Sequence, residues 1–240
     1  MSNLKGFWAP VPKPSSRIAR YRVLSPNAGV HVLPLQLGAM SIGDKWEQFG
    51  MGSMDKTSSF KLLDAFYDAG GNFIDTANNY QDQNSEEFIG DTRSITITAT
   101  TPCAWHLTYN GNNLKSMLLS VDDSLKKLRT SYIDILYVYW WDWDASVEEV
   151  MNGLHVLVQQ GKVLHLMSGV SDTPAWMVAK ANQYARDHGK SPFVIYQGLA
   201  LAPWNVLAGG KLLTDEEEQR RRETGEKGRM LLGPDWDAPT

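Results

Sequence analysis

From Arg20 onward the chain alternates between two kinds of segment. Short apolar runs are separated by longer stretches in which apolar residues return every three or four places, the signatures of strand and helix. "YRVLSPNAGVHVLPLQLGAM" predicts a hairpin turning at Pro26-Asn27-Ala28-Gly29, then a buried strand over Pro34 to Gly38. Thr57 to Ala69 has helical spacing, with Phe60, Leu63, Phe66 and Tyr67 on one side. Phe73 to Ala77 reads as a strand. Ser85-Glu86-Glu87 reads as a helix start, with the serine as N-cap and the acids facing the positive end of the helix dipole. "SITITAT" is a strand, Leu114 to Leu128 an amphipathic helix, and "YIDILYVYW" a buried strand. Ser146 to Gln160 follows as a helix closed by Gly161. "VLHLMSGV" is a strand, and a helix runs from Thr173 or Pro174 to His188 with Gly189 after it. "FVIYQGL" is a further strand; "ALAPWNVL" follows at once, and a charged tail finishes the chain.

Strand and helix in alternation imply parallel βα units, in either a doubly wound sheet or a (β/α)8 barrel. A doubly wound dinucleotide fold carries a glycine-rich turn after its first strand. Here that place holds "LGAMSIGDKW", which is not G-x-G-x-x-G, and this favours the barrel. Parallel neighbours need a crossover of about a dozen residues or more. Almost nothing separates the strand ending near Gly198 from the one beginning near Ala200, and the helix begun at Ser85 reaches Asp91 within two turns. No eighth strand precedes Thr240. The expectation is an N-terminal extension over residues 1–19 and one domain over 20–240, a (β/α)8 barrel with pieces missing. Unpaired strand edges in such a barrel predict poor solubility or self-association, and the sequence does not fix the oligomeric state.

Composition narrows the function. With 240 residues and 42% hydrophobic positions the chain can bury a core. A net charge of -4 leaves no electrostatic footprint for nucleic acid. Arg220, Arg221 and Arg222 are balanced by Asp215 to Glu218 and read as a solvated helix face. The single cysteine, Cys103, excludes an internal disulfide and fits a reducing compartment. No membrane span is expected, and "MSNLKGFWAPVPKPSS" lacks the apolar core of a signal peptide, so the cytosol is expected. His31, His106, His155, His165 and His188 show no metal-ligand spacing. Cys103 lacks a placed base and reads as a small buried residue.

The densest stretch is "GNFIDTANNYQDQNSEEFIG", in which a strand delivers Asp75 and a loop follows with Tyr80. By residue type alone, the two are either an acid pair at a barrel mouth or a loop-capping carboxylate beside a packed phenol. Trp140, Trp141 and Trp143 after the "YIDILYVYW" strand are candidates for the wall of an aryl pocket, or for ordinary packing at the strand ends.

At these residues the chain resembles the aldo-keto reductases, most closely their fungal aryl-alcohol dehydrogenase and norsolorinic acid reductase-like branch. "GGNFIDTANNYQDQNSEEFIG", "LGAMSIGDKW", "SLKKLRTSYIDILYVYWWDWD", "GVSDTPAWMVAKANQYARDHG", "FVIYQG" and "LAPWNVLAGGK" carry the resemblance, which runs from about Tyr21 to Trp236. The resemblance implies a (β/α)8 barrel and NADPH-dependent reduction of a small aromatic carbonyl substrate. It assigns Tyr80 as proton donor and Asp75 as its supporting carboxylate. Thr101 stands where the family has its lysine, and Tyr139 where it has its histidine. For the cofactor it implies Ser171, Asp172 and Gln197 at the nicotinamide carboxamide and Trp204 stacked on the ring. Leu207, Gly209, Gly210 and Lys211 fall near the pyrophosphate, where glycine lets backbone N–H groups approach. Two functional readings follow: a reductase of aryl aldehydes or aromatic polyketide ketones, or a relative of weak or no activity that binds nucleotide or a partner. A phenol titrates near pH 10 unless a cation stands beside it, so the missing lysine separates the two.

Overall fold

The computed structural model describes residues 19–49, 52–92, 97–100, 105–106, 109–168, 173–194 and 214–225. At 97–100, 105–106, 109–110 and 167–168 the backbone alone is described. Strands β1 (Arg22–Ser25) and β2 (Ala28–Val32) form an antiparallel hairpin in which Ser25 faces Ala28, so the turn is Pro26-Asn27. Five parallel strands make the main sheet: β3 (Leu37–Gly38), β4 (Phe73–Asp75), β5 (Ile97–Thr100), β8 (Ile133–Val138) and β9 (Val163–Ser168). Between β5 and β8 the chain forms a small antiparallel pair, β6 (Trp105–His106) and β7 (Tyr109–Asn110). Among the described strands of the main sheet, spatial order follows chain order without reversal.

Helices α1 (Lys56–Asp68), α2 (Asn84–Asp91), α3 (Leu114–Leu128) and α4 (Val147–Gln159) return the chain between successive strands. Helix α5 (Ala175–Asp187) follows β9, and α6 (Asp215–Thr224) is polar on every side and exposed. Residues facing the helices include Ile74, Leu136 and Val138, packed with Leu63, Val150 and Leu154 in the larger core. On the opposite face, Phe73, Ile135 and Tyr137 meet Leu24, Ala28 and Val32 of the hairpin. Asn72, just before β4, holds the hairpin there: its Oδ1 accepts from Leu33 N at 2.9 Å and its Nδ2 donates to His31 O at 2.9 Å. Through Asn72 the hairpin is anchored at the N-terminal end of β4.

The predicted helices fall close to their observed bounds where a polar cap and an apolar stripe agree. Asn113 caps α3 by accepting from Ser116 N, Ser146 caps α4 by accepting from Glu149 N, and Gly161 (φ 68°) ends the latter turn. Three expectations need correction. Ser85 is not an N-cap: α2 starts one residue earlier, and the buried Ser85 hydroxyl donates to Ala39 O at 2.9 Å and sits 3.0 Å from Thr76 Oγ1. The strand at Pro34 to Gly38 is not a buried run. Only Leu37–Gly38 pairs, Leu35 is 52% exposed, and Pro34 has no N–H to offer a ladder. Tyr67 does not join the apolar side of α1 but stands exposed.

The brevity of α2 also proves compatible with a parallel crossover, since Phe73 pairs with Ile97 and Asp75 with Ala99. The lengths match. A three-residue strand advances ~10 Å, and an eight-residue helix returns ~12 Å.

Candidate active site

Asp75 is the last residue of β4, flanked in register by Gly38 on β3 and Ala99 on β5. Its carbonyl accepts from Ala39 N at 2.8 Å, which carries the β3 exit onto the β4 edge. The side chain is partly covered, and burial pushes the Asp75 carboxyl up to about 7. A carboxylate taken from water without a compensating cation is disfavoured against its neutral form. Tyr137 on β8 lies close by, and its hydroxyl accepts from Gln36 Nε2 at 2.9 Å. Burial pushes the Tyr137 phenol up, and the charge of Asp75 pushes it further, while the Gln36 hydrogen bond opposes both.

Tyr137 and Gln36 escaped the sequence reading, which fixed on Tyr139. Alternation in "IDILYV" gives Tyr137 the side of Ile135, but Tyr139, two residues on, has the same parity, so the run alone does not choose between them. Tyr139 itself is the first residue beyond β8, partly buried, with its ring 6.3 Å from that of Trp140.

Tyr80 opens a tight turn over residues 80–83, and the edge of its ring meets Trp46 at 6.1 Å and 74°. Trp46 Nε1 donates to Asp82 Oδ1 at 2.9 Å. Gln81, Asp82 and Gln83 all take positive φ, at 53°, 51° and 84°. The Gln81 side chain is fully buried; Oε1 accepts from Lys45 N and Trp46 N, and Nε2 donates to Met40 O and Gly52 O. The loops following β3 and β4 are thus fastened to one another. A cation does stand behind the Tyr80 loop: Lys127 on α3 pairs with the buried Glu86 at 2.8 Å and donates to Asn78 O at 3.1 Å.

The three tryptophans after β8 do not form one wall. Trp141 is buried in the larger core, whereas Trp140 and Trp143 are 59% and 62% exposed, and Trp143 pairs at 6.0 Å with Trp176 of α5. The turn directs successive side chains to opposite sides, with Trp140 at φ 57° and Asn112 Nδ2 bonded to its carbonyl at 2.6 Å. Thr101, Ser171, Asp172, Gln197, Trp204, Leu207, Gly209, Gly210 and Lys211 lie outside the described residues. Among the described residues no group of three His, Cys, Asp or Glu side chains is placed to hold a metal, and no helix is long and apolar enough to cross a membrane.

The sequence profile of the Aldo/keto reductase family matches residues 34–201. An aryl-alcohol dehydrogenase (NADP(+)) of Phanerodontia chrysosporium is 55% identical over 268 positions, covering 94% of this chain and 68% of its own. The norsolorinic acid reductase stcV of Emericella nidulans is 44% identical over 94% of this chain and 65% of its own. The aldo-keto reductase ausK of the same organism is 43% identical over 95% and 66%. The chain spans about two thirds of the length of these relatives. The 268 aligned positions outnumber the chain's 240 residues, so the first relative carries internal segments that this chain lacks.

Proposed function

Since the chain belongs to the Aldo/keto reductase family, we propose that it is an NADPH-dependent oxidoreductase that reduces an aryl aldehyde or an aromatic polyketide ketone to the alcohol in secondary metabolism. The observation that carries this reading is the joint at β4: a strand-end carboxylate, Asp75, and five residues later a phenol, Tyr80, whose loop is fastened from below and beside. The parallel strands in chain order, with a hairpin packed against residues of β4 and β8, support a (β/α)8 barrel shortened in places.

NADPH, when bound, supplies hydride to the carbonyl carbon. The residues that would hold it are Ser171, Asp172, Gln197, Trp204, Leu207, Gly209, Gly210 and Lys211, matched by resemblance. Tyr80 would give its proton to the carbonyl oxygen as negative charge grows there. Burial pushes the Asp75 carboxyl up to about 7, which favours its neutral form over that of a free aspartate.

One observation favours a second reading, of a weakly active or inactive relative that at most binds nucleotide or a partner. Burial pushes the Asp75 carboxyl up, the opposite of what an adjacent ammonium would do, in keeping with threonine at position 101. Loss of the cation that eases proton donation would cost on the order of 10²-fold in rate. Titration with NADPH, followed by tryptophan fluorescence, and then NADPH oxidation with benzaldehyde decide between the two. Quenching with turnover is expected; absence of quenching overturns the reductase reading, and quenching without turnover favours the second.

A further inference from the structure

We propose that Gln81 is the positioning residue for Tyr80: its buried amide locks the loop after β3 onto a left-handed turn after β4, and so fixes where the Tyr80 hydroxyl stands. This rests on Tyr80 being the proton donor; Gln81 itself is not placed against substrate.

The amide is saturated. Oε1 accepts from Lys45 N at 3.0 Å and Trp46 N at 2.9 Å; Nε2 donates to Met40 O at 2.9 Å and Gly52 O at 3.3 Å. Both acceptor sites and both N–H groups are used, all on backbone of a single neighbouring loop. Gly43 of that loop presses on the same side chain. A Cβ at Gly43, where φ is +127°, would stand 2.5 Å from Gln81 Cβ and 2.7 Å from Cγ. Opposing this fit is the backbone, for Gln81 adopts φ 53°, ψ 42° and Asp82 φ 51°, ψ 43°. The left-handed region is disfavoured for residues that carry a Cβ, and glutamine lacks the short side chain that eases the cost for asparagine. A conformation of this kind persists only where the surroundings over-determine it.

The consequence falls on Tyr80 from two directions. It is bonded directly to Gln81, and its ring meets Trp46, whose backbone N is held by Gln81 and whose ring N–H is held by Asp82. Releasing the amide loosens both restraints together.

The test uses the full chain and four substitutions: Gln81→Ala, Gln81→Glu, Gly43→Ala and Trp46→Phe. Gln81→Ala is expected to lower kcat for benzaldehyde reduction on the order of 10- to 100-fold, the scale of a small misplacement of a reacting group. The KM for benzaldehyde, the NADPH fluorescence titration and the far-UV circular dichroism should stay close to wild type. Amide hydrogen exchange should rise in residues 40–52 and 78–83 together. Gln81→Glu keeps the acceptor side and regains a donor only when protonated, so its kcat should recover towards wild type as pH falls from about 8 to about 5.5. Gly43→Ala should reproduce the Gln81→Ala losses from the opposite loop. Unchanged kcat in Gln81→Ala despite raised exchange overturns the proposal, as does unchanged exchange. Absence of wild-type turnover refutes the reduction chemistry alone. The exchange measurement, read with the emission attributable to Trp46 from a Trp46→Phe difference, still upholds or overturns the lock.

Discussion

Replacing Asp75 with asparagine isolates the energetic burden of the strand-end carboxyl. The folded protein raises this carboxyl from 3.8 to about 7, through burial. Between those two values the unfolded chain has released a proton that the folded chain still holds. Stability conferred by the neutral form is therefore complete below 3.8 and is lost as pH rises through about 7. The slope is about 1.4 kcal/mol per pH unit, and the full loss amounts to about 4 kcal/mol. From pH 5.5 to pH 8 the part belonging to Asp75 is about 2 kcal/mol. Asparagine has nearly the same shape and does not titrate, so the Asp75→Asn chain should lack this decline and be the more stable protein above pH 7. Urea unfolding of both chains at several pH values measures it. The difference between the two curves cancels other groups, including His165, whose pKa burial shifts the opposite way, downward. Parallel curves across the range would refute the reasoning, because they would show that ionising Asp75 costs the fold nothing.

Further outcomes follow from the same geometry. Thr101→Lys combined with Tyr139→His should raise kcat/KM for benzaldehyde on the order of 10²-fold; unchanged turnover would show that these two positions do not limit the wild type. Lys127→Met removes the ammonium that pairs with the buried Glu86 and donates to the Asn78 carbonyl, and should cost about 3–5 kcal/mol by chemical denaturation. Adding Glu86→Gln should recover most of that loss. Trp141→Ala should cost about 3–5 kcal/mol as a core truncation, whereas Trp143→Ala should change stability by no more than about 0.5 kcal/mol; equal effects would contradict their opposite burial.

Much of the framework could be read from the chain because local signals coincided. Helix α3 occupies Leu114–Leu128 as its periodicity predicted, with Asn113 supplying the cap. The "NFID" run placed Asp75 at a strand end, where it stands. What stayed hidden depends on partners far along the chain. Nothing in "YQDQ" announces three successive positive φ values, since the bonds that enforce them reach residues 40–52. Ser85 has the residue type of a cap, yet its hydroxyl serves Ala39, 46 residues away. Tyr137 and Tyr139 are two apart in one aromatic run. Which of them faces Asp75 is settled by strand register, which the run itself does not encode.

The β1–β2 hairpin has a consequence for synthesis of the chain. Leu24, Ala28 and Val32 emerge early and can pair among themselves at once, but the residues that cover them include Ile135 and Tyr137. At about 5–20 residues per second a ribosome needs roughly 5–20 s to supply the intervening hundred or so residues. For that interval an apolar plate is finished before the wall it seals. The nascent chain is thus most adhesive in the window between the appearance of β2 and that of β8, and chaperone capture has its natural opening there.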